Sequence, residues 1–148
     1  MNLRKSTVWQ GTHRDVPFKI VNWTVDSDYF RQSFPTGNWN YYIYLQESKC
    51  PKFDELWLEE VKQSGLDDCE YWSHNYMSGL VGSIELHGGI TFYDKHGYRV
   101  GARIVEVGCD YQHYAETGMH YNENILHHDA CESIDWCYNS GILVPDKK

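Results

Sequence analysis

The sequence predicts an α+β domain in which a small mixed or antiparallel sheet carries two packed helices. Three observations lead to this prediction: short β-rich runs separated by turn residues, two segments with apolar residues at helical spacing, and a length of 148 residues. A chain of this length is typical of a single domain with one hydrophobic core. The apolar side of each predicted helix must pack against another apolar surface, and one face of a sheet supplies it. We therefore expect one domain over residues 1–148.

Two β-branched and aromatic runs predict the first strands. Residues 18–25 alternate in part between apolar and polar side chains, and residues 39–45 read WNYYIYL. The second run follows the turn residues Pro35, Gly37 and Asn38, which favour a turn before a strand. We expect the two strands to pair.

The second half of the chain contains three more β-rich runs, at residues 80–86, 90–93 and 98–107. Gly88 and Gly89 separate the first two runs. Residues 94–97, with the sequence DKHG, predict a hairpin turn between the last two.

Two segments have the apolar spacing of amphipathic helices. Residues 51–63 follow an i, i+3, i+4, i+8 pattern and end before Gly65. Residues 123–139 carry a similar stripe, with Asn122 as an N-cap and Gly141 just past the end. Two helices can therefore pack on the predicted sheet.

The charge balance disfavours a general nucleic-acid binder. Lys and Arg number 13 while Asp and Glu number 21, which gives a formal net charge of −8. A negative chain repels phosphate backbones. Aromatic residues make up 16% of the chain, more than a core of this size requires, so we expect some to be exposed for recognition.

The sequence predicts a cytoplasmic protein. No run approaches the roughly 20 apolar residues that cross a bilayer, and the N-terminal segment lacks the apolar stretch of a signal peptide. The five cysteines contain no C-x-x-C spacing, which favours free thiols in a reducing compartment.

Candidate chemistry concentrates between residues 87 and 116. Alternation over residues 83–87 puts Glu85 and His87 on the face opposite to Ile84 and Leu86. The two glycines that follow leave room for a ligand or a second backbone, or form a bulge.

Asp110, His113 and Glu116 follow Gly108 at spacings of three residues. Imidazole and carboxylate groups bind Zn or Mn and transfer protons, so these residues could form a metal or acid–base site with His87. In a structural alternative, His87 forms hydrogen bonds within the sheet and Asp110 caps a short helix. The shared site requires that His87 and His113 lie close together.

The patterns HGGIT at residues 87–91 and G-x-D-x-x-H-x-x-E at residues 108–116 resemble an uncharacterised phage and prophage protein family. The hallmark of that family reads HGGLT, then GFDCAH and an acidic residue three positions further on. The matching residues are His87, Gly88, Gly89, Thr91, Gly108, Asp110 and His113, with Glu116 in place of the usual Asp. Tyr111 stands where the family has Cys, which disfavours a cysteine nucleophile at that position. The resemblance implies a small phage-associated protein.

Two further constellations have alternative interpretations. The i, i+4 pairs Cys109 with His113 and His127 with Cys131 are ligand types for structural zinc, although Cys131 also fits the apolar stripe of the last helix. Residues 71–77, which include Trp72 and Tyr76, could form an aromatic platform with the strand at 39–44. In the alternative, the inward half of that strand belongs to the core.

These observations favour a non-enzymatic, acidic binding protein of phage type that acts inside bacteria. It would capture a host defence protein or a small nucleotide-like ligand, because no complete catalytic motif is present. The alternative is a small, possibly metal-dependent hydrolase of a phosphorylated or nucleotide substrate. The expected binding residues are His87, Gly88, Gly89, Thr91, Asp110, His113, Glu116, Trp72 and Tyr76. Of these, His87, Asp110 and His113 are the expected ligands of a divalent metal, Zn or Mn.

Overall fold

The computed structural model describes residues 3–26, 38–58, 79–87, 89–110 and 122–145. In these ranges the elements, in chain order, are β1 (Leu3–His13), β2 (Val16–Asp26), β3 (Asn38–Gln46), a 3₁₀ turn (Glu47–Lys49), α1 (Phe53–Trp57), α2 (Gly79–Gly82), β4 (Phe92–His96), β5 (Ile104–Asp110) and α3 (Glu123–Asn139). Among the helices of these ranges, none is long and apolar enough to cross a membrane.

The five strands form one antiparallel sheet with the order β1-β2-β3-β5-β4. Strands β2 and β3 pair directly, with Phe18 opposite Ile43 and Ile20 opposite Tyr41. The predicted α+β class with a small antiparallel sheet is confirmed, as is the predicted pairing of these two strands.

Strand β1 is not predicted by the sequence pattern. It forms a hairpin with β2 through Arg14 and Asp15, whose φ angles are 51° and 64°. Positive φ at both central residues matches the twist of antiparallel strands, but the usual sequence signal for such a turn is Asn-Gly or Asp-Gly. Arg-Asp lacks the glycine, so the hairpin has no strong local signature.

Two predictions for the second half of the chain are wrong. The strand predicted at 80–86 is absent: residues 79–82 form the short helix α2, and none of residues 83–86 belongs to a strand. The predicted turn at 94–97 is also displaced: residues 94–96 belong to β4, and residues 97–103 connect it to β5. Gly97 and Gly101, with φ angles of 71° and 100°, allow the chain to reverse in this later segment.

The predicted helix at 123–139 is confirmed with the same bounds. The side chain of Asn122 accepts a hydrogen bond from the backbone N–H of Ile125 at 3.0 Å, as expected for an N-cap. Of the helix predicted at 51–63, the structure describes a helical turn at Phe53–Trp57, while residues 59–63 lie outside the described residues.

Helix α3 packs on strands β1, β2 and β3, and the core lies between them. Helix α1 approaches the same face, where the Tyr93 hydroxyl donates a hydrogen bond to the Leu56 carbonyl at 2.6 Å. We call the side of the sheet that α1 and α3 contact the covered face. The fully buried side chains of this core include Ile20, Tyr41, Ile43, Leu45, Val105, Val107, Leu126, Ala130, Ile134 and Cys137.

The residues between those of the covered face point to the opposite side of the sheet. We call this side the open face, because α3 and α1 lie on the covered face. It contains the side chains of Lys19, Tyr42, Tyr44, Phe92, Asp94, His96 and Glu106. The two faces therefore differ in chemistry: one is apolar, while the other combines aromatic and charged groups.

Candidate functional site

His87 lies where three segments of the covered face meet. Its backbone N–H donates a hydrogen bond to the Tyr41 hydroxyl at 3.0 Å, and that hydroxyl lies 2.7 Å from the Ser133 hydroxyl. Tyr41 is fully buried, and burial raises its pKa, so the phenol stays neutral. This contact joins β3, α3 and the segment before Gly88, and it fixes the backbone position of His87.

A cavity of about 630 Å³ opens beside His87, between residues 85–87 and helix α3. Tyr41 and Ser133 contribute to its lining from the sheet and the helix. Four carboxylates also line it, and we call it the acidic cleft. Its remaining polar and aromatic lining residues are Glu85, His87, Asp129, Glu132, Asp135, Trp136 and Asn139.

The repeat of the α-helix brings the α3 residues of the cleft together. Asp129, Glu132 and Trp136 occupy positions i, i+3 and i+7, which fall on one side of a helix. The Nδ1 atom of His87 lies 3.9 Å from a carboxylate oxygen of Asp129 across the cleft. Both side chains remain partly exposed, at 33% and 23%, so a ligand can reach them.

Basic side chains at the rim pair with two of the cleft's carboxylates, Asp135 and Glu132. Asp135 contacts His13 Nε2 at 2.8 Å and Arg14 Nη1 at 3.2 Å. These hydrogen bonds, from His13 first and then from Arg14, lower the pKa of Asp135. Glu132 contacts the exposed His128 at 3.0 Å. Of these partners in the described part of the chain, Arg14 is the one that carries a fixed charge.

Glycine 89 and Thr91 have structural roles. The φ angle of Gly89 is 91°, and an added Cβ there would meet no atom within 4 Å. Glycine is therefore favoured at position 89 because it adopts positive φ easily, and not because a side chain would collide with a neighbouring residue. The N–H of Thr91 donates to the Gly108 carbonyl at 2.9 Å, which places the two predicted motifs side by side.

Asp110 and His87 lie on different sides of the sheet. Asp110 ends β5 opposite Asn40, and it alternates with the buried Cys109 of the covered face. Burial raises the pKa of Tyr42 on the open face, and the charge of Asp110 adds to this shift. His113 and Glu116 lie outside the described residues, as do Gly88, Trp72 and Tyr76. His87 and Asp110 therefore do not share one site, while a site that includes His113 or Glu116 stays a prediction.

The open face contains a second cluster, formed by Asp94, His96 and Glu106. His96 Nε2 lies 2.6 Å from Glu106 Oε1 and 3.7 Å from Asp94 Oδ2. The sequence pattern does not predict this cluster, because residues 94–97 have the composition of a hairpin turn. The D-x-H spacing indicates that Asp94 and His96 would share one face of a strand. The register of β4 with β5 is needed to show that Glu106 lies beside them.

Lysine 19 and two aromatic rings border this cluster. Lys19 Nζ lies 3.4 Å from Glu106 Oε2 and 4.8 Å from the centre of the Tyr42 ring. Tyr42 lies over Gly108, where an added Cβ would be 2.4 Å from the ring, and makes an edge-to-face contact with Phe92 at 5.1 Å. Part of the predicted aromatic strand is therefore on the open face, while Tyr41 belongs to the core as the alternative interpretation expects.

The predicted zinc pairs are only partly described. His127 Nδ1 and Cys131 Sγ lie 3.8 Å apart on α3, whereas Cys109 is buried in the core. His113 lies outside the described residues, so this zinc site stays a prediction. Within the described part of the chain, one group of three side chains has donor atoms close enough to share a metal ion: Asp94, His96 and Glu106.

Comparison of the chain with protein-family models, with curated proteins and with solved structures finds no match. The resemblance to a phage family stays a prediction.

Proposed function

We propose that this chain is a non-enzymatic, acidic binding protein that captures a protein partner through a basic surface. The acidic cleft would be the binding site. In the bacterial setting that the phage resemblance implies, the partner would be a host defence protein. The observation that carries this proposal is the cleft itself, with four carboxylates, His87 and Trp136 around a volume of about 630 Å³.

The cleft has the chemistry to receive an arginine or lysine side chain. Asp129 and Glu132 are separated by less than one helical turn, so both carboxylates can accept hydrogen bonds from one guanidinium or ammonium group. Trp136 offers an aromatic ring one turn further along α3, and aromatic rings attract cations. A basic side chain would thus gain charge pairing and aromatic contact together.

The same charge disfavours the nucleotide-like ligand that the sequence left open. A phosphate group in the cleft would meet four carboxylates, and like charges repel strongly in a partly desolvated site. The formal net charge of −8 acts in the same direction at longer range, because it attracts basic surfaces and repels anions. We therefore favour a protein partner.

A hydrolase is the second candidate function, and the His96–Glu106 pair on the open face favours it. Glu106 is buried and its carboxylate contacts the imidazole of His96 at 2.6 Å, while His96 is 43% exposed. A buried carboxylate that orients an accessible imidazole is a common arrangement for a general base. Lys19 would then lie beside the reacting group of a phosphorylated substrate.

Peptide binding tests the proposed function. We expect a fluorescein-labelled peptide of sequence Arg-Gly-Lys-Gly-Arg to increase in anisotropy on addition of the full chain, and a Glu-Gly-Asp-Gly-Glu peptide to remain unbound. Asp129→Asn and Glu132→Gln should each weaken binding by about tenfold, because each removes one charge-assisted hydrogen bond. Glu55→Gln is the matched control, since it removes one carboxylate from an exposed position on α1.

Equal losses of affinity in Glu55→Gln and Asp129→Asn would contradict the proposal, because net charge alone would then explain binding.

The binder and the hydrolase also differ in stoichiometry and product. A binder saturates near one equivalent and returns the peptide with unchanged mass. Conversion of a nucleotide substrate by a small fraction of an equivalent of protein, with loss of conversion in His96→Ala, would support the hydrolase.

A further inference from the structure

Two carboxylates face each other directly on the open face. Asp94 of β4 is the register partner of Glu106 of β5, and like charges at directly opposite positions destabilise a sheet. His96 is two residues beyond Asp94 and therefore on the same face. One donor atom from each of the three side chains lies within 4.8 Å of the others. Such an arrangement is stabilised by positive charge, which Lys19 supplies in part from the Oε2 side of Glu106.

The buried carboxylate of Glu106 shows where that charge is needed. Its side chain is 4% exposed, and Oε1 contacts His96 Nε2. Within the described residues the second oxygen, Oε2, is buried and accepts no hydrogen bond of ordinary geometry, although the Lys19 ammonium lies 3.4 Å away. A buried carboxylate oxygen without a hydrogen bond is costly, and a coordinated cation would remove the cost.

From these observations we infer that Asp94, His96 and Glu106 form a binding site for one divalent transition-metal ion on the open face. An imidazole nitrogen with two carboxylates is a donor set that suits Mn²⁺ and Zn²⁺. Three protein ligands leave coordination positions for water or for a further ligand. This site is independent of the acidic cleft and of the function proposed for it.

Lys19 competes with the metal for Glu106. Its ammonium lies on the Oε2 side of the carboxylate and is 30% exposed, so it can turn toward solvent when a metal ion binds. A positive charge at this distance opposes a second cation in the same site. Replacement of Lys19 by an uncharged side chain of similar length should therefore strengthen metal binding.

Mn²⁺ is the sharpest probe, because its preference for oxygen and nitrogen ligands limits interference from the cysteines. The full chain is treated with EDTA, dialysed and titrated with MnCl₂, and free Mn²⁺ is measured by electron paramagnetic resonance. We expect one Mn²⁺ per chain, released on addition of Zn²⁺. Asp94→Asn and His96→Ala should weaken binding by more than about tenfold, and Lys19→Met should strengthen it by about tenfold.

His128→Ala is the matched control, because His128 pairs with the exposed Glu132 at 3.0 Å but does not belong to the group formed by Asp94, His96 and Glu106. Unchanged Mn²⁺ affinity in this variant is expected. Since Asp94 is 55% exposed, Asp94→Asn should keep the native circular dichroism spectrum, so loss of metal would not reflect unfolding. The absence of Mn²⁺ and Zn²⁺ binding by the native chain, unchanged affinity in His96→Ala, or weaker affinity in Lys19→Met would each overturn the inference.

Discussion

Tyr41 and Tyr42 are neighbours on β3 but belong to different environments. Tyr41 points to the covered face, where it is fully buried and its hydroxyl contacts Ser133 and the backbone of His87. Tyr42 points to the open face, where it lies over Gly108 and beside the Lys19 ammonium. The same residue type therefore fixes the backbone beside a cleft on one face and borders a charged cluster on the other.

The two faces differ in how they satisfy their polar groups. On the covered face, neutral hydroxyl and amide groups form short hydrogen bonds inside an apolar core. On the open face, Glu106 is balanced by charges: His96 contacts one of its oxygens, and Lys19 lies near the other. Burial opposes the charge of Lys19, but its contacts with Tyr44 and Glu106 raise its pKa overall. Packing substitutions should therefore affect the covered face more strongly than the open face.

The largest effect is expected from a cavity on the covered face. Ile43 is fully buried, so Ile43→Ala should lower the free energy of unfolding by about 2–5 kcal/mol. Tyr44→Phe, one residue further on the open face, should change it by less than about 1 kcal/mol. Urea unfolding followed by circular dichroism measures both. A loss in Tyr44→Phe as large as that in Ile43→Ala would show that the two faces are equally important for stability.

The second prediction compares the two tyrosine hydroxyls. Tyr41→Phe removes the partner of the buried Ser133 hydroxyl and of the His87 N–H, which should cost about 1–3 kcal/mol of stability. It should also weaken binding at the acidic cleft, because His87 loses its anchor. Tyr42→Phe is the control and should leave both quantities nearly unchanged. If Tyr41→Phe left cleft binding at the native level, the proposed anchoring of His87 would be wrong.

The third prediction concerns the close approach of Tyr42 to Gly108. In Gly108→Ala the new Cβ would lie 2.4 Å from the Tyr42 ring and 2.9 Å from the Tyr41 carbonyl oxygen, so the ring and the backbone must move. We expect a loss of about 1–3 kcal/mol in unfolding free energy. Part of this loss should disappear when Tyr42→Ala is also present. Full additivity of the two substitutions would show that the ring contact is not the cause.

The smallest effect concerns pH. Burial raises the pKa of the Cys50 and Cys137 thiols to about 12, whereas unfolded thiols ionise near 8.5. This contribution to stability is fully present below about pH 8 and is lost as pH rises through 9 toward 12, because the unfolded chain then releases protons that the folded chain retains. Between pH 7.5 and 9 the loss should be less than about 1 kcal/mol per thiol. Urea unfolding of Cys137→Ala should show a weaker pH dependence over this range than the native chain.

The features predicted from sequence are those with a strong local pattern. The aromatic alternation of β3 and the stripe of α3 with its Asn122 cap identify these elements correctly. Strand β1 was missed because its turn, Arg14 and Asp15, lacks the usual glycine. Residues 94–96 belong to a strand although the sequence DKHG is typical of a turn.

Candidate sites depend on contacts between distant residues, which is why the sequence indicated only part of them. His87 was predicted as a site residue, but its contacts with Tyr41 and Asp129 come from elements far apart in the chain. The metal cluster needs the register of β4 with β5, which places Glu106 opposite Asp94. Local alternation indicates which face a residue occupies, but it does not identify the residue across the strand or the cleft.

Nuclear magnetic resonance can show whether a basic side chain binds at the acidic cleft, as we propose. In a ¹⁵N-labelled chain, the indole N–H of Trp136, assigned with a Trp136→Phe variant, should shift progressively as the Arg-Gly-Lys-Gly-Arg peptide is added. The backbone amides of His87 and Asp129 should shift with the same saturation curve. Amides of Asp94, His96 and Glu106 on the open face should stay unchanged. Shifts confined to the open face, with Trp136 and His87 unaffected, would show that the acidic cleft is not the binding site.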